Sequence, residues 1–238
     1  MKPDRYFYSA ASGLFLALML IGFHSFYLHG TGFESRPIDP RIVALDAVHG
    51  TAIALWFVLY FVQSLLIAVR NRKLHMTLGW ASVVLGPAIA GLGTTVAIES
   101  VRITPPEFVF FGMLYSRFLL VMFAEMTLFA GFLTAGILTR KKPRIHRTMM
   151  LMASLSILPG ATSRIAVLLS IFGPSGWMGL FGATFCIGVL LFLARWAMTR
   201  RFDAWFAAGI VIWVAGVTLS MHLALTPAWD RMAAVIVH

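Results

Sequence analysis

Long apolar stretches separated by short polar loops dominate the pattern of this chain. A helix needs about 20 apolar residues to cross a hydrocarbon layer of about 30 Å, and seven segments qualify. They lie near residues 9–28, 48–69, 76–98, 108–139, 146–172, 177–198 and 204–225. The fourth segment is too long for one crossing, so we expect its first residues to project beyond the bilayer or the helix to tilt. The pattern predicts an all-α fold, a seven-transmembrane-helix bundle that forms a single integral membrane domain over residues 1–238.

Composition strengthens this prediction. Hydrophobic residues make up 60% of the chain and charged residues only 12%, whereas a soluble domain carries about 25% charged residues. A water-soluble globular protein is therefore excluded. The single cysteine, Cys186, excludes a disulfide framework, a CxxC redox pair and a thiolate zinc site.

The basic residues of the loops are distributed unequally between the two sides of the predicted bundle. Thirteen fall in the clusters at 2–5, 70–73, 140–147 and 195–201, which lie on one side, and only Arg36, Arg41, Arg102 and Arg231 fall on the other. The positive-inside rule then places the N-terminus in the cytoplasm and the C-terminus outside, as in a bacterial inner-membrane protein. The formal net charge of +10 indicates contact with the anionic lipid bilayer rather than with nucleic acid.

A weak internal repeat links two parts of the chain. RNRKLHMTLGWASVVLGPAIAGL enters the third segment and KKPRIHRTMMLMASLSILPGATSRI enters the fifth. Each has a basic cluster, a histidine, a threonine two residues later and a Gly/Pro pair about three turns further on. One interpretation is a duplicated two-helix unit, pairing helices 2 and 3 with helices 4 and 5. The other is that many membrane helices begin with basic residues and kink at proline.

Ionisable residues inside the bilayer cost at least about 2.5–3.5 kcal/mol each, so they are candidate functional residues. Nine of them gather in the outer third of the bundle: His24, His49, His222, Asp46, Glu99, Glu107, Glu125, Arg117 and Arg164. Asp46, His49, Trp56 and Gln63 are spaced to form one stripe of a helix, which should face the bundle interior.

We expect an outward-facing cavity around Asp46, His49, Glu125 and Arg164, flanked by His24, His222 and Arg117. Arg164 lies 18 residues after His146, so five turns of a straight helix would place both on one face. Glu125, at similar depth, is then a natural ion-pair partner for Arg164. The candidate catalytic residues are Glu125, Arg164, Asp46 and Arg117. The alternative is that these side chains anchor helix ends and that one buried pair fixes packing.

A resemblance to a known family arises from the histidines. The pair His49-Gly50 opens the second segment, and His75 opens the third from the opposite side, which resembles the di-haem b-type transmembrane cytochromes. The resemblance implies that His75 and His146 ligate an inner haem b, that His49 also binds cofactor, and that basic residues of the adjoining loops meet the haem propionates. This chain departs from the family because its fourth segment has no histidine to pair with His49. A basic helix start with a histidine also resembles that of uncharacterised bacterial polytopic membrane proteins, in which the histidine is an interfacial anchor.

The chain also resembles the seven-helix intramembrane hydrolases that include alkaline ceramidases and adiponectin-type receptors. That resemblance implies a zinc site made by His24, His49 and His222 near Asp46, with a metal-bound water as nucleophile. The last segment here has one histidine where that superfamily has a closely spaced pair.

These observations establish a polytopic membrane protein without fixing its function; the best specific hypothesis is a b-type haem-binding or quinone-linked membrane electron-transfer protein, whose partner would be a quinone or another membrane redox protein. In that interpretation His49, Glu125 and Arg164 line an outer quinone or proton site. The alternatives are a membrane-embedded zinc-dependent hydrolase with an outward-facing site, a small-solute or proton pathway, and an assembly protein.

Overall fold

The computed structural model describes residues 4–32 and 38–237, and over these residues the chain is almost entirely helical. The first half contains α1 (Asp4–Gly22), α2 (His24–His29), α3 (Val43–Ala68), α4 (Arg72–Ile103) and a hairpin of β1 (Val109–Phe110) and β2 (Met113–Leu114). The second half contains α5 (Tyr115–Leu138), α6 (Pro143–Ser156), α7 (Pro159–Thr162), α8 (Ala166–Phe172), a π-helical turn (Met178–Gly182), α9 (Ala183–Thr199), α10 (Ala204–Ala224) and α11 (Pro227–Val237).

Five helices in the described part of the chain are long and apolar enough to cross a membrane. They are Val43–Ala68, Arg72–Ile103, Tyr115–Leu138, Met178–Thr199 and Ala204–Ala224. A bent pair, Pro143–Thr162 with Ala166–Phe172, makes a sixth if it is counted as one span, and Tyr6–Gly22 of α1 is a shorter apolar helix. The chain is thus an all-helical integral membrane protein, and its exposed apolar side chains, such as Trp80 and Val84, face lipid.

The fifth apolar segment is broken rather than straight. α6 ends at Ser156, α7 covers a single turn, and the axis bends by 94° before α8. Pro159 supplies no amide hydrogen to the ladder, and Gly160 beside it adds backbone freedom. The prediction that His146 and Arg164 share one face of a continuous helix is therefore wrong.

The first segment is also interrupted, and a close helix crossing lies at the break. α1 ends at Gly22, where a Cβ atom would lie 2.3 Å from the carbonyl oxygen of Ala161 in α7. A side chain at this position would collide with backbone, so only glycine allows the two helices to approach this closely.

The long fourth segment begins with a hairpin instead of a projecting helix. Val109 pairs with Leu114 and Phe110 with Met113. Both turn residues, Phe111 and Gly112, have positive φ, as a tight two-residue hairpin requires. α5 begins only after this turn.

α5 lies at the centre of the bundle and packs against α4, α6, α10 and α11. Trp56 of α3 packs edge-on against Phe129 of α5 with ring centroids 5.0 Å apart, and its indole N–H donates to the Ser154 hydroxyl. Both rings are fully buried. We call the end of the bundle with loops 69–71, 139–142 and 200–203 the basic end, and the opposite end, with loops 38–42 and 104–114, the cavity end.

The terminal helix α11 lies against α4 and α5 at the cavity end and was not among the predicted segments. The Arg117 guanidinium donates to both carboxylate oxygens of Asp230 at 2.8 Å, and the indole of Trp229 donates to the Ser116 carbonyl. This ion pair holds the pKa of Asp230 below its usual range. One face of α11 is thereby attached to the bundle.

Candidate functional sites at the two ends of the bundle

A cavity of about 540 Å³ opens at the cavity end, and four predicted residues line it together: Asp46, His49, Glu125 and Arg164. They come from α3, from α5 and from the break between α7 and α8. The stripe on α3 faces inward as predicted, because Trp56 is buried and both amide atoms of Gln63 are buried as well.

Two buried polar atoms belong to residues that line this cavity. The Nδ1 atom of His49 and the Oε1 atom of Glu125 are buried, and neither hydrogen-bonds within the described part of the chain. Gly93 of α4 makes room for His49, since a Cβ there would lie 3.0 Å from the imidazole Cε1 atom. Buried polar groups without a hydrogen bond are costly and uncommon, so this pair is poised for a ligand or water.

The mouth of the cavity carries opposite charges. The Arg164 guanidinium donates to the Gly160 carbonyl at 3.0 Å, lies 4.8 Å above the centre of the Phe23 ring, and interacts electrostatically with Asp46 and Tyr115. Asp46 is thus a carboxylate that interacts with Arg164. Glu125 lines the same cavity, but its Oε1 atom accepts no bond from the described residues.

A second ion pair lies at the cavity rim. Arg41 donates to both carboxylate oxygens of Asp39 and lowers the pKa of that carboxyl to about 2. Asp39 therefore stays ionised at any physiological pH. Tyr27 closes another side of the rim by donating to the Gly50 carbonyl at 2.8 Å, and partial burial raises the pKa of its phenol.

Aromatic rings form much of the cavity wall. They belong to Phe23, Phe26, Tyr27, Phe108, Phe110, Tyr115 and Phe118. The Tyr115 and Phe118 rings stack at an interplanar angle of 10°, and the Tyr115 hydroxyl donates to Ser100 at 3.2 Å. The cavity is thus an apolar chamber with a few polar groups at defined points.

Other predicted residues lie elsewhere. Arg117 is paired with Asp230 of α11. The Nδ1 atom of His24 contacts the Ile21 carbonyl at 2.7 Å, and His222 lines a separate pocket of about 340 Å³. The three histidines of the zinc hypothesis are therefore in different surroundings. Among residues 4–32 and 38–237 no group of three or more His, Cys, Asp or Glu side chains is placed to hold a metal ion.

At the basic end, His75 of α4 and His146 of α6 face one another. Their ring centroids are 6.3 Å apart and their planes are nearly perpendicular, at 81°. The Nδ1–H of His75 donates to the Gln63 carbonyl at 3.3 Å, and that of His146 donates to the Gly136 carbonyl at 2.8 Å. A carbonyl only accepts, so each neutral ring keeps its Nε2 lone pair available, which is the usual arrangement behind a metal-ligating histidine.

The surroundings of this histidine pair leave space and unused hydrogen-bonding groups. Both side-chain amide atoms of Gln63 are buried without a hydrogen bond to any described residue. At Gly79, one turn after His75, a Cβ would meet only the Gln63 amide nitrogen, at 3.9 Å. Three exposed basic residues, Arg72, Lys73 and Arg144, lie at the start of the same two helices.

A buried network at the basic end was missed by the sequence analysis. Arg195 of α9 forms an ion pair with Asp203, and both side chains are almost completely buried. Asp203 also accepts from the backbone N–H groups of Trp205 and Phe206 at the start of α10. The one available signal was an aspartate directly before an apolar run, which is typical of a helix N-cap.

Comparison with family models, with curated proteins and with solved structures finds no match to this chain. The resemblances to di-haem cytochromes and to intramembrane hydrolases therefore depend on the residues described above.

Proposed function

We propose that this protein is a b-type haem-binding membrane electron-transfer protein in which His75 and His146 would hold one haem. The observation that carries the proposal is the close placement of the two imidazoles, nearly perpendicular to one another, although they are 71 positions apart in the chain. A centroid separation of 6.3 Å would let both imidazoles reach one haem iron.

The surroundings of the pair also suit a haem. Gly79, one turn after His75, places no side chain against the Gln63 amide, and the buried atoms of that amide hydrogen-bond to no described residue. Arg72 and Arg144 carry the positive charge that haem propionates require. Haem would supply reversible one-electron exchange, and the protein residues would hold it and set its potential.

Zinc fits the described residues less well. A catalytic zinc ion takes three protein ligands and a water, whereas His24, His49 and His222 have separate surroundings. The haem proposal needs only the two histidines that lie together.

We infer seven membrane crossings, with α1 and the bent α6–α8 pair added to the five long helices. The basic end then faces the cytoplasm and the C-terminus lies outside, as the excess of positive charge favours for a bacterial inner-membrane protein. Electrons would be exchanged with a lipid-soluble quinone or with another membrane redox protein.

Matching local contacts support a duplicated unit made of α3 with α4 and α5 with α6. In each pair the histidine of the second helix donates to a carbonyl of the first. Two residues further on, the hydroxyls of Thr77 and Thr148 both donate to the carbonyl four residues back.

The test is an absorption spectrum of the detergent-purified protein, oxidised and then reduced with dithionite, on a sample expressed with haem supplied and assayed for iron. We expect a sharp reduced α-band, a pyridine haemochrome of the b type and about one iron per chain. His75→Ala and His146→Ala should each remove the band, whereas the matched control His222→Ala, at the other end, should keep it. A colourless wild-type protein, or a band that survives both substitutions, would overturn the proposal.

A further inference from the structure

We infer that the cavity at the cavity end binds the ring of a lipid-soluble quinone or hydroquinone between Glu125 and His49. The choice of this substrate class rests on the proposed electron-transfer function. The existence of a ligand site there rests on the cavity alone.

The size and walls of the cavity suit a flat ring compound. Its volume of about 540 Å³ lies within the usual range for small-molecule sites, about 300–1,000 Å³. Rings from α1, α2, the hairpin and α5 surround the space, and an aromatic ligand packs well against aromatic side chains.

The two unpartnered polar atoms suit the two oxygens of such a ring. His49 Nδ1 comes from α3 and Glu125 Oε1 from α5, and both are buried in the wall of one cavity. A carboxyl and an imidazole can each donate or accept a hydrogen bond according to protonation. The same pair can therefore bind the quinone, whose oxygens accept, and the hydroquinone, whose hydroxyls donate.

The charges around the cavity favour a neutral ligand over an anion. Among the described lining residues, Asp39, Asp46 and Glu125 are acidic and Arg164 is basic, and Arg164 interacts with Asp46. Arg41 beside the rim is paired with Asp39. Both arginines therefore already lie beside a carboxylate, so a fatty acid or a phosphate headgroup would gain little from their charge.

The proposed chemistry balances. Oxidation of a hydroquinone releases two protons and two electrons. The Glu125 carboxylate and the His49 imidazole each accept one proton. Asp46, at the mouth of the cavity, then passes these protons to solvent. The two electrons would leave one at a time: the haem of the proposed function would accept the first and, once reoxidised by the membrane redox partner, the second.

The test is calorimetric titration of the detergent-purified protein with decylubiquinone. We expect saturable binding with one site, and a dissociation constant at least tenfold higher in Glu125→Leu and in His49→Leu. The matched control is Glu107→Leu, because Glu107 is an exposed carboxylate at the same end that does not line the cavity. If Glu125→Leu fails to fold, Glu125→Gln replaces it: it should still bind quinone but slow the reduction of haem by decylubiquinol at least tenfold.

The outcomes separate this inference from the proposed function. A haem spectrum without saturable quinone binding overturns the cavity assignment and leaves the haem proposal standing. Saturable binding to a colourless protein, lost in the cavity variants, supports the site and overturns electron transfer. Equal binding in Glu107→Leu and the cavity variants, or tighter binding of oleate than of decylubiquinone, overturns the inference.

Discussion

The buried Arg195–Asp203 ion pair should dominate the stability of the basic end, and Asp203→Asn tests this. Both side chains are only 5–6% exposed, so the substitution removes the Asp203 charge from beside a buried guanidinium. Breaking such a pair costs about 3–5 kcal/mol, a large part of a total stability of about 5–15 kcal/mol. Asparagine caps a helix as well as aspartate does, so the cap at α10 should survive and contribute little to the loss.

A double-mutant cycle separates the charge from the packing. Arg195→Met combined with Asp203→Asn removes both charges, and it should recover most of the free energy lost in Asp203→Asn. The control is the exposed ion pair of Asp39 with Arg41 at the cavity rim, where Asp39→Asn should leave the free energy of unfolding unchanged within error. The assay is the free energy of unfolding from reversible SDS titration followed by circular dichroism. A loss below about 1 kcal/mol in Asp203→Asn, or a double variant no more stable than the single one, would refute the reasoning.

Two further predictions concern the close helix crossing and the terminal helix. Gly22→Ala should destabilise the protein by about 1–3 kcal/mol, because the new Cβ atom would collide with the Ala161 carbonyl. The control is Gly13→Ala, whose Cβ would contact only the Phe61 side chain, and it should change the free energy of unfolding little in the same assay. Because the pKa of Asp230 is lowered, its ion pair with Arg117 stabilises α11 fully at pH values above the ordinary aspartate pKa, near 4. This stabilisation is lost as the pH falls through the lowered pKa. Hydrogen-exchange protection of α11 should therefore fall on acidification in the wild type, and it should be low and independent of acidification in Asp230→Asn. An unchanged unfolding free energy in Gly22→Ala, or an acid response that persists in Asp230→Asn, would contradict these predictions.

The sequence was most informative where a local rule decides the structure. Apolar length located the long helices, because a spanning helix must satisfy its own backbone hydrogen bonds in lipid. The stripe of Asp46, His49, Trp56 and Gln63 predicted the inward face of α3, since helical periodicity alone fixes which side chains share a face. The gathering of Asp46, His49, Glu125 and Arg164 followed from their similar depth in the bilayer.

Features that depend on contacts between distant segments could not be predicted from local sequence patterns. Apolar length does not distinguish a straight helix from the bent α6–α8 pair, although Pro159 and Gly160 signalled a kink. Arg195, near the end of α9, pairs with Asp203, just before α10. In the sequence, the charged residues between these helices are typical of an exposed loop. The position of α11 depends on Arg117 and Asp230, more than a hundred residues apart.

The buried Trp56–Phe129 pair lies between the two candidate sites, and the separation of the sites has an electrical consequence. Trp56 lies seven residues from His49 and seven from Gln63, so the cavity and the histidine pair are separated by roughly 20 Å of helix rise within a hydrocarbon layer of about 30 Å. An electron that passes from the cavity to the histidines would cross about two-thirds of the transmembrane voltage, against about 1.5 kcal/mol for every 100 mV when the basic end is the negative side. Turnover would then slow as the membrane becomes energised, and an uncoupler would accelerate it.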